Sequence, residues 1–341
     1  MTNRAVGTAR PDGQSPSANA QERSGCRLHG PVSAKPAAAP AYRPGRKWKA
    51  FAKEFGFGYF LLAPVVLYIV LLQFYPLFET VRLSLFDYSL VAGRPIRLVW
   101  FENYAKLLTQ DDDFWPIFRN SVLWVLGSTA LQFLIAIPAA LLLNMRIRLR
   151  GFWRGLTMVP WVSPIVIIGI IWKWIYDGQY GLANHYLKEL HLIRDNIIWL
   201  GDANWVWPAL LLTSAWKGFP YVALMLLSGL QGISRDWMEA AQVDGANAWQ
   251  RFVWVTLPLL KPVMVATGLV CIIATWTKFE MIWVLTNGGP GFATSILPTY
   301  LYTQAFQYYD LGTGAAVGTI SMLFIVVITV IYRALFDREK T

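Results

Sequence analysis

Six times along the chain the polar residues thin out for about twenty positions, the length a helix needs to cross a hydrocarbon core. The runs cover approximately 57–78, 120–143, 155–176, 206–230, 262–285 and 314–335. Lipid offers the backbone no hydrogen-bond partner, so each run is expected to be helical. The pattern predicts an all-α polytopic membrane protein with six transmembrane helices. An even number of crossings puts both termini on one side.

One stretch between the fourth and fifth runs breaks the pattern. MEAAQVDGANAWQRFVWVTLPLLKP at 238–262 is helical in spacing but too polar at its start for lipid. Asp236 followed by Glu239 has the spacing of a capping box with Asp236 as N-cap. Trp237, Ala240, Ala241 and Asp244 then recur at three- and four-residue intervals. Gly245 suits a sharp turn between two short helices, the second beginning near Ala246, carrying Phe252 and running into Leu257-Pro258. Small alanines let another surface approach closely, and a carboxylate beside them supplies a charged handle. A helix resting on headgroups would carry more Lys and Arg than this one, which offers Asp236, Glu239 and Asp244. A lever joining two spans is the better expectation.

Composition sharpens the class. Charged residues make up 15% of the chain against about a quarter in soluble domains, and there are 17 Trp. The net charge of +10 does not point to nucleic acid, because ten of the 30 Lys and Arg lie in residues 1–56 and most others flank apolar runs. The cluster Arg43, Arg46, Lys47, Lys49, Lys53 and the segments 144–154, 231–261 and 333–341 hold fifteen Lys and Arg. The alternate segments 79–119, 177–205 and 286–313 hold seven, which predicts cytoplasmic termini. Residues 1–54 read as a disordered basic tail and 55–119 as the first span with its outer loop. Residues 120–335 read as a five-helix core containing the polar segment at 234–258, and 336–341 as a short cytoplasmic end. Asp111, Asp112 and Asp113 are expected in a solvated loop. Cys26, Cys271, His29, His185 and His191 show no metal-ligand spacing.

Charges inside the runs demand an explanation, since a Lys or Asp near mid-bilayer costs roughly 2.5–3.5 kcal/mol on insertion scales. Lys173, between Trp172 and Trp174, is expected to snorkel at a span end. Lys217 lies mid-run beside Gly218 and Pro220, which predicts a helix break facing a pathway or an interhelical pair. Lys278 and Glu280, two residues apart on an ideal helix, should not face each other, and Glu280 is the expected partner of Lys217. Trp216, Trp276 and Trp283 lie near these groups and offer flat faces to a solute in such a pathway, or fill helix interfaces. Asn287-Gly288-Gly289-Pro290 reads as a turn.

The segment Glu239-Ala240-Ala241, then Gly245, then Val255 and Leu257-Pro258, resembles the EAA loop of ABC importer permeases. EAAQVDGA at 239–246 with Phe252 is similar to the sugar-permease branch, although Ser234 and Val255 stand where that branch often has Pro and Ile. LLAPVVLYIVLLQFYPLFETVRLSLFDY (61–88), WFENYAKLL (100–108), WKGFPYVALMLLSGLQGI (216–233) and LTNGGPGFATSILPTYLYTQAF (285–306) resemble further segments of the maltose or glycerol-phosphate type, over about residues 57–335. The resemblance implies a type I ABC importer permease fold with a cytoplasmic coupling helix, in a bacterial cytoplasmic (inner) membrane. It implies a second homologous permease, a dimer of ATP-binding subunits carrying ATP and Mg, an external solute-binding protein and a sugar substrate. It makes Glu239, Ala240, Ala241, Asp244 and Gly245 the ATPase-coupling residues and 287–290 a gate loop.

No Gly-Lys dipeptide occurs, so the chain carries no phosphate loop of the Walker-A kind and no cofactor is expected in it. An ion-coupled secondary transporter is the alternative reading. It would favour internal repeats, and it leaves the polar segment without a role. A membrane enzyme would need a metal cluster or a nucleophile–base pair, and the sequence offers neither pattern.

Overall fold

The structure, a computed structural model, describes residues 58, 60–91 and 93–337. The basic tail, Cys26, His29 and residues 338–341 lie outside the described residues. The chain divides into Met1–Ala63 and Pro64–Thr341, and the second unit carries the fold.

Among the described residues five helices are long and apolar enough to span a membrane: α1 (Phe60–Leu83), α3 (Phe114–Asn144), α7 (Val206–Gln231), α9 (Ala248–Thr277) and α12, whose apolar stretch is Leu311–Phe336. The run expected as one span at 155–176 is instead two helices, α4 (Arg150–Val162) and α5 (Ile165–Ile175), bent by 90° at Ser163-Pro164. Pro164 lacks an N–H and pushes Ser163 to extended backbone, ψ 139°, so the helix cannot continue. Shorter helices fill the loops: α2 (Glu102–Thr109), α6 (Leu182–Glu189), α8 (Arg235–Val243), α10 (Glu280–Thr286) and α11 (Leu297–Tyr302). A two-residue antiparallel pair, Phe86–Asp87 with Arg97–Leu98, closes the first loop.

Contacts fix the direction of each crossing. Gly127 faces Leu211 and Gly218 faces Gln132, so α3 and α7 run parallel. Two parallel neighbours require the chain to return across the bundle between them, and α4–α5 makes that return. The bent pair is therefore the sixth crossing. Gly229 faces Leu260 and Val263, which sets α9 antiparallel to α7. Gly268 faces Tyr332, and Trp276 Nε1 donates to Ser321 Oγ at 2.8 Å, which sets α12 antiparallel to α9. One end thus gathers 84–113, 176–205 and 278–310. The other gathers 145–149 and 232–247, and is called the EAA end below.

Small side chains let α3 and α7 approach. Ala136 and Ala140 are buried against Val222, Ala223 and Leu226 toward the EAA end. A second cluster near the opposite end holds Phe114, Ile117, Trp124, Leu210, Ile282 and Leu297. The loops at that end are tied down by buried amides. Asn103 Nδ2 donates to Ser84 O and Phe86 O, each at 2.9 Å, and Asn184 Nδ2 donates to Ile197 O at 2.9 Å. The acidic triplet is not wholly solvated as expected, because the Tyr300 hydroxyl donates to Asp111. Burial and that carboxylate push the Tyr300 hydroxyl well above the usual tyrosine range, so it stays a donor.

Candidate functional site

A cavity of about 550 Å³ lies mid-bundle, between the two buried clusters. Its wall includes Gln132 from α3, Trp161 from α4, Lys217 and Tyr221 from α7, Cys271 from α9, and Lys278 with Glu280 at the start of α10. Three of the four intramembrane charges singled out from sequence, Lys217, Lys278 and Glu280, therefore share one space. They reach it differently from what the sequence suggests.

Lys217 does not meet Glu280. Its Nζ donates to three backbone carbonyls, Pro160 O at 3.2 Å, Trp161 O at 3.1 Å and Ser163 O at 2.8 Å. These carbonyls belong to the end of α4, where the 90° bend leaves acceptors without intrahelical donors. A cation is also favoured at a helix C-terminus by the helix dipole. The expected break beside Lys217 is thus in the neighbouring helix, while α7 runs unbroken through Pro220. Gly218 has a packing role instead: a Cβ there would lie 2.5 Å from Gln132 Cδ. Because the Gln132 amide is the far end of a flexible side chain beside the cavity, Gly218→Ala should displace it and change the thermal unfolding temperature of the purified protein by no more than about a degree or two.

Lys278 and Glu280 line the same cavity because the fifth span is interrupted between them. Helix α9 ends at Thr277, Lys278 takes extended backbone (ψ 109°), and α10 begins at Glu280. The ideal-helix angle that separated them does not apply across this break. Lys173 is exposed near the end of α5, as expected.

None of the three tryptophans proposed for the pathway lines the cavity. Trp216 sits edge-on to Trp172 at 5.6 Å, Trp276 is buried against Phe324 at 4.6 Å, and Trp283 packs on Tyr302 at 4.7 Å. One residue along a helix is about 100° of rotation, so proximity to Lys217 in sequence does not give proximity in space. The aromatic faces come from Trp161 and Tyr221, stacked at 6.0 Å with 16° between planes, and from Trp124. Tyr221, at i+4 from Lys217, was accessible to helix-periodicity reasoning. Trp161 was not, because its position depends on the bend.

The Asn287–Pro290 turn is tightly held. Asn287 and Gly288 have φ +53° and +83°, and the Gly289-Pro290 peptide is cis. Thr294 Oγ1 donates to Gly289 O at 2.8 Å, and Asn120 Nδ2 of α3 donates to Ala293 O at 3.0 Å. The turn is therefore pinned to the start of α3.

At the EAA end, Ser234 rather than Asp236 is the N-cap of α8, with Asp236 N donating to Ser234 Oγ at 3.3 Å. A Ser two positions before Asp satisfies the first free N–H, which leaves Asp236 inside the first turn. The reciprocal capping box belongs to the next helix, between Asn247 and Gln250. Gly245 has φ +81°, so the expected turn is there. The second helix is not a separate short element. It is continuous with the fifth span as Ala248–Thr277, 30 residues long, through a π-turn at Phe252–Thr256. Glu239, Ala240, Asp244 and Gly245 are exposed and Ala241 half-exposed. Trp237, Val243 and Trp249 beside them are 61%, 88% and 71% exposed, an apolar group at the polar end of the bundle.

Residues 132–341 match the family described as binding-protein-dependent transport system inner membrane component. The chain is 35% identical over 272 residues to the sulfoquinovosyl glycerol transport system permease protein SmoG of Agrobacterium fabrum, covering 80% of this chain and 87% of that one. It is 33% identical over 284 residues to the trehalose/maltose transport system permease protein MalF of Thermococcus litoralis, covering 82% and 93%. A solved structure of a bacterial alginate ABC transporter, in complex with an alginate pentasaccharide-bound periplasmic protein, contains a chain of similar fold. Its TM-score is 0.73 at 21% identity, over 86% of this chain and 98% of that one. Six crossings, a polar helical segment between the fourth and fifth, and these matches give one conclusion: the chain belongs to the family of binding-protein-dependent transport system inner membrane components and is a multi-pass permease with the type I ABC importer fold.

Proposed function

We propose that this permease forms half of the translocation pathway of an ATP-driven carbohydrate importer, with the mid-bundle cavity as the solute's station. The cavity is the observation that carries the reading: its volume falls in the range of small-molecule sites, and it combines stacked aromatics with amide, hydroxyl and charged groups. Flat rings suit the C–H faces of a sugar, while Gln132, Ser214, Lys278 and Glu280 suit its hydroxyls. The named transport systems of the relatives, for sulfoquinovosyl glycerol and for trehalose/maltose, support a sugar or sugar derivative.

The EAA end is the cytoplasmic end in this reading, because it carries the excess of Lys and Arg. ATP and Mg belong to two partner ATPases that grip Glu239, Ala240, Ala241, Asp244 and Gly245, with Trp237, Val243 and Trp249 buried beneath them. Because the second coupling helix is one rod with the fifth span, force applied there moves the Lys278–Glu280 break that borders the cavity. The Asn287–Pro290 turn, pinned to α3, closes the pathway on the opposite side, where a solute-binding protein docks. A second homologous permease completes the pathway.

Tyr221→Ala combined with Trp161→Ala tests the station. Loss of a ring stack should reduce sugar uptake by the reconstituted transporter about tenfold. Assembly with the ATPases should be unaffected. Unchanged uptake would place the solute elsewhere.

A further inference from the structure

A second cavity, of about 400 Å³, opens at the EAA end, where α3 stops, α4 starts and α7 hands over to α8. Its charged lining is Arg146, Arg150, Arg154 and Arg235, with Asn144 and Gln231 adding amides. Among the described residues no carboxylate lines it. Among the described residues none of these four guanidiniums is in an ion pair. The Nε of Arg154 is sealed from solvent with no hydrogen-bond partner.

This arrangement needs a counter-charge. An excess of arginine at the cytoplasmic ends of spans is ordinary, and it accounts for these residues being at this end. It does not account for gathering four like charges round one hollow, nor for burying a guanidinium nitrogen unpaired, which is costly. Arg150 and Arg154 stand four apart at the start of α4, so they share one helix face. The N-cap is Leu149, in left-handed backbone, with no side-chain cap. The free N–H groups of the first turn therefore add to the positive potential at this corner. Guanidinium forks fit tetrahedral oxyanions closely.

We infer that this cavity binds a phosphate-type oxyanion, supplied by the headgroup of an anionic phospholipid or by free phosphate. Its position where three spans end would place it at headgroup depth, and the coupling helix contributes Arg235 and Met238 to its wall. Occupancy would therefore bind the start of α8 to the ends of α3 and α4. This site rests on the proposed reading in taking its end of the bundle as cytoplasmic, and does not depend on which solute is carried.

Arginine footprinting with phenylglyoxal on the assembled transporter, in phosphate-free non-ionic detergent, tests it. Adding phosphatidylglycerol or inorganic phosphate should slow modification of Arg150 and Arg154 by about tenfold, as expected for charge-assisted bonds. Arg148, exposed and outside the cavity, should keep its rate. Protection by inorganic phosphate alone assigns a soluble anion, and protection by phosphatidylglycerol without phosphate assigns a lipid headgroup. Arg146→Gln, in the exposed connection between α3 and α4, should weaken the protection of its neighbours about tenfold. Equal rates with and without both probes would overturn the inference. So would arginines unreactive from the outset and freed by removing the ATPases, because a protein carboxylate would then be the partner.

Discussion

Glu239→Lys should abolish nucleotide-driven uptake while leaving the chain inserted and folded. Glu239 is exposed on α8, at the end of the bundle remote from the solute cavity, so its replacement disturbs no packing inside the spans. The reversal of charge acts on whatever grips that surface. Gly245 offers an independent handle on the same contact. Its φ of +81° is a conformation that L-residues resist, yet nothing lies within 4 Å of where a Cβ would be. The cost of Gly245→Val is therefore backbone strain of about 1–2 kcal/mol, relieved by re-aiming α8 against the rod behind it. Gly245→Asn, which tolerates left-handed backbone, should keep most of the activity. The check is paired measurement of uptake, ATPase co-purification and thermal stability. Full uptake in both Glu239→Lys and Gly245→Val would rule out force entry at this segment.

Lys217→Met should destabilise the protein rather than merely slow it. Methionine keeps the length and apolar stem of the side chain but leaves the three carbonyls at the end of α4 without their donor. Each unmade bond to a charged donor costs about 1.5–3 kcal/mol, so the total is on the order of 5 kcal/mol, a large share of a typical protein's stability. The expected result is poor yield of monodisperse protein and a thermal transition lowered by roughly 7–9 degrees, with Lys217→Arg milder. A variant of unchanged stability with lost or altered uptake would instead make Lys217 a solute ligand.

The crossings and the cavity wall were not equally legible in the sequence. The six crossings and the polar segment between the fourth and fifth followed from apolar runs and caps, because both are local. The turn at Gly245 followed for the same reason. The bend at Ser163-Pro164 carried a local signal, a proline inside an apolar run, but its 90° angle depends on Lys217 arriving from another helix to satisfy the exposed carbonyls. The break after Thr277 has no proline or glycine to mark it, and without it Lys278 and Glu280 appear on different faces. Trp216, Trp276 and Trp283 fall outside the cavity wall because rotation about each helix axis is fixed by packing. Packing of Ala136 and Ala140 against Val222 and Ala223 sets that rotation for α7, and only the folded bundle reveals it.

The most direct measurement is solute uptake into vesicles holding this chain and its partner permease, with and without the ATPase dimer. Accumulation against a gradient should require both the ATPases and ATP, and should stop when Glu239→Lys replaces the natural chain. Uphill accumulation by the two permeases alone, driven by an ion gradient, would contradict the claim that work enters through the Arg235–Val243 helix.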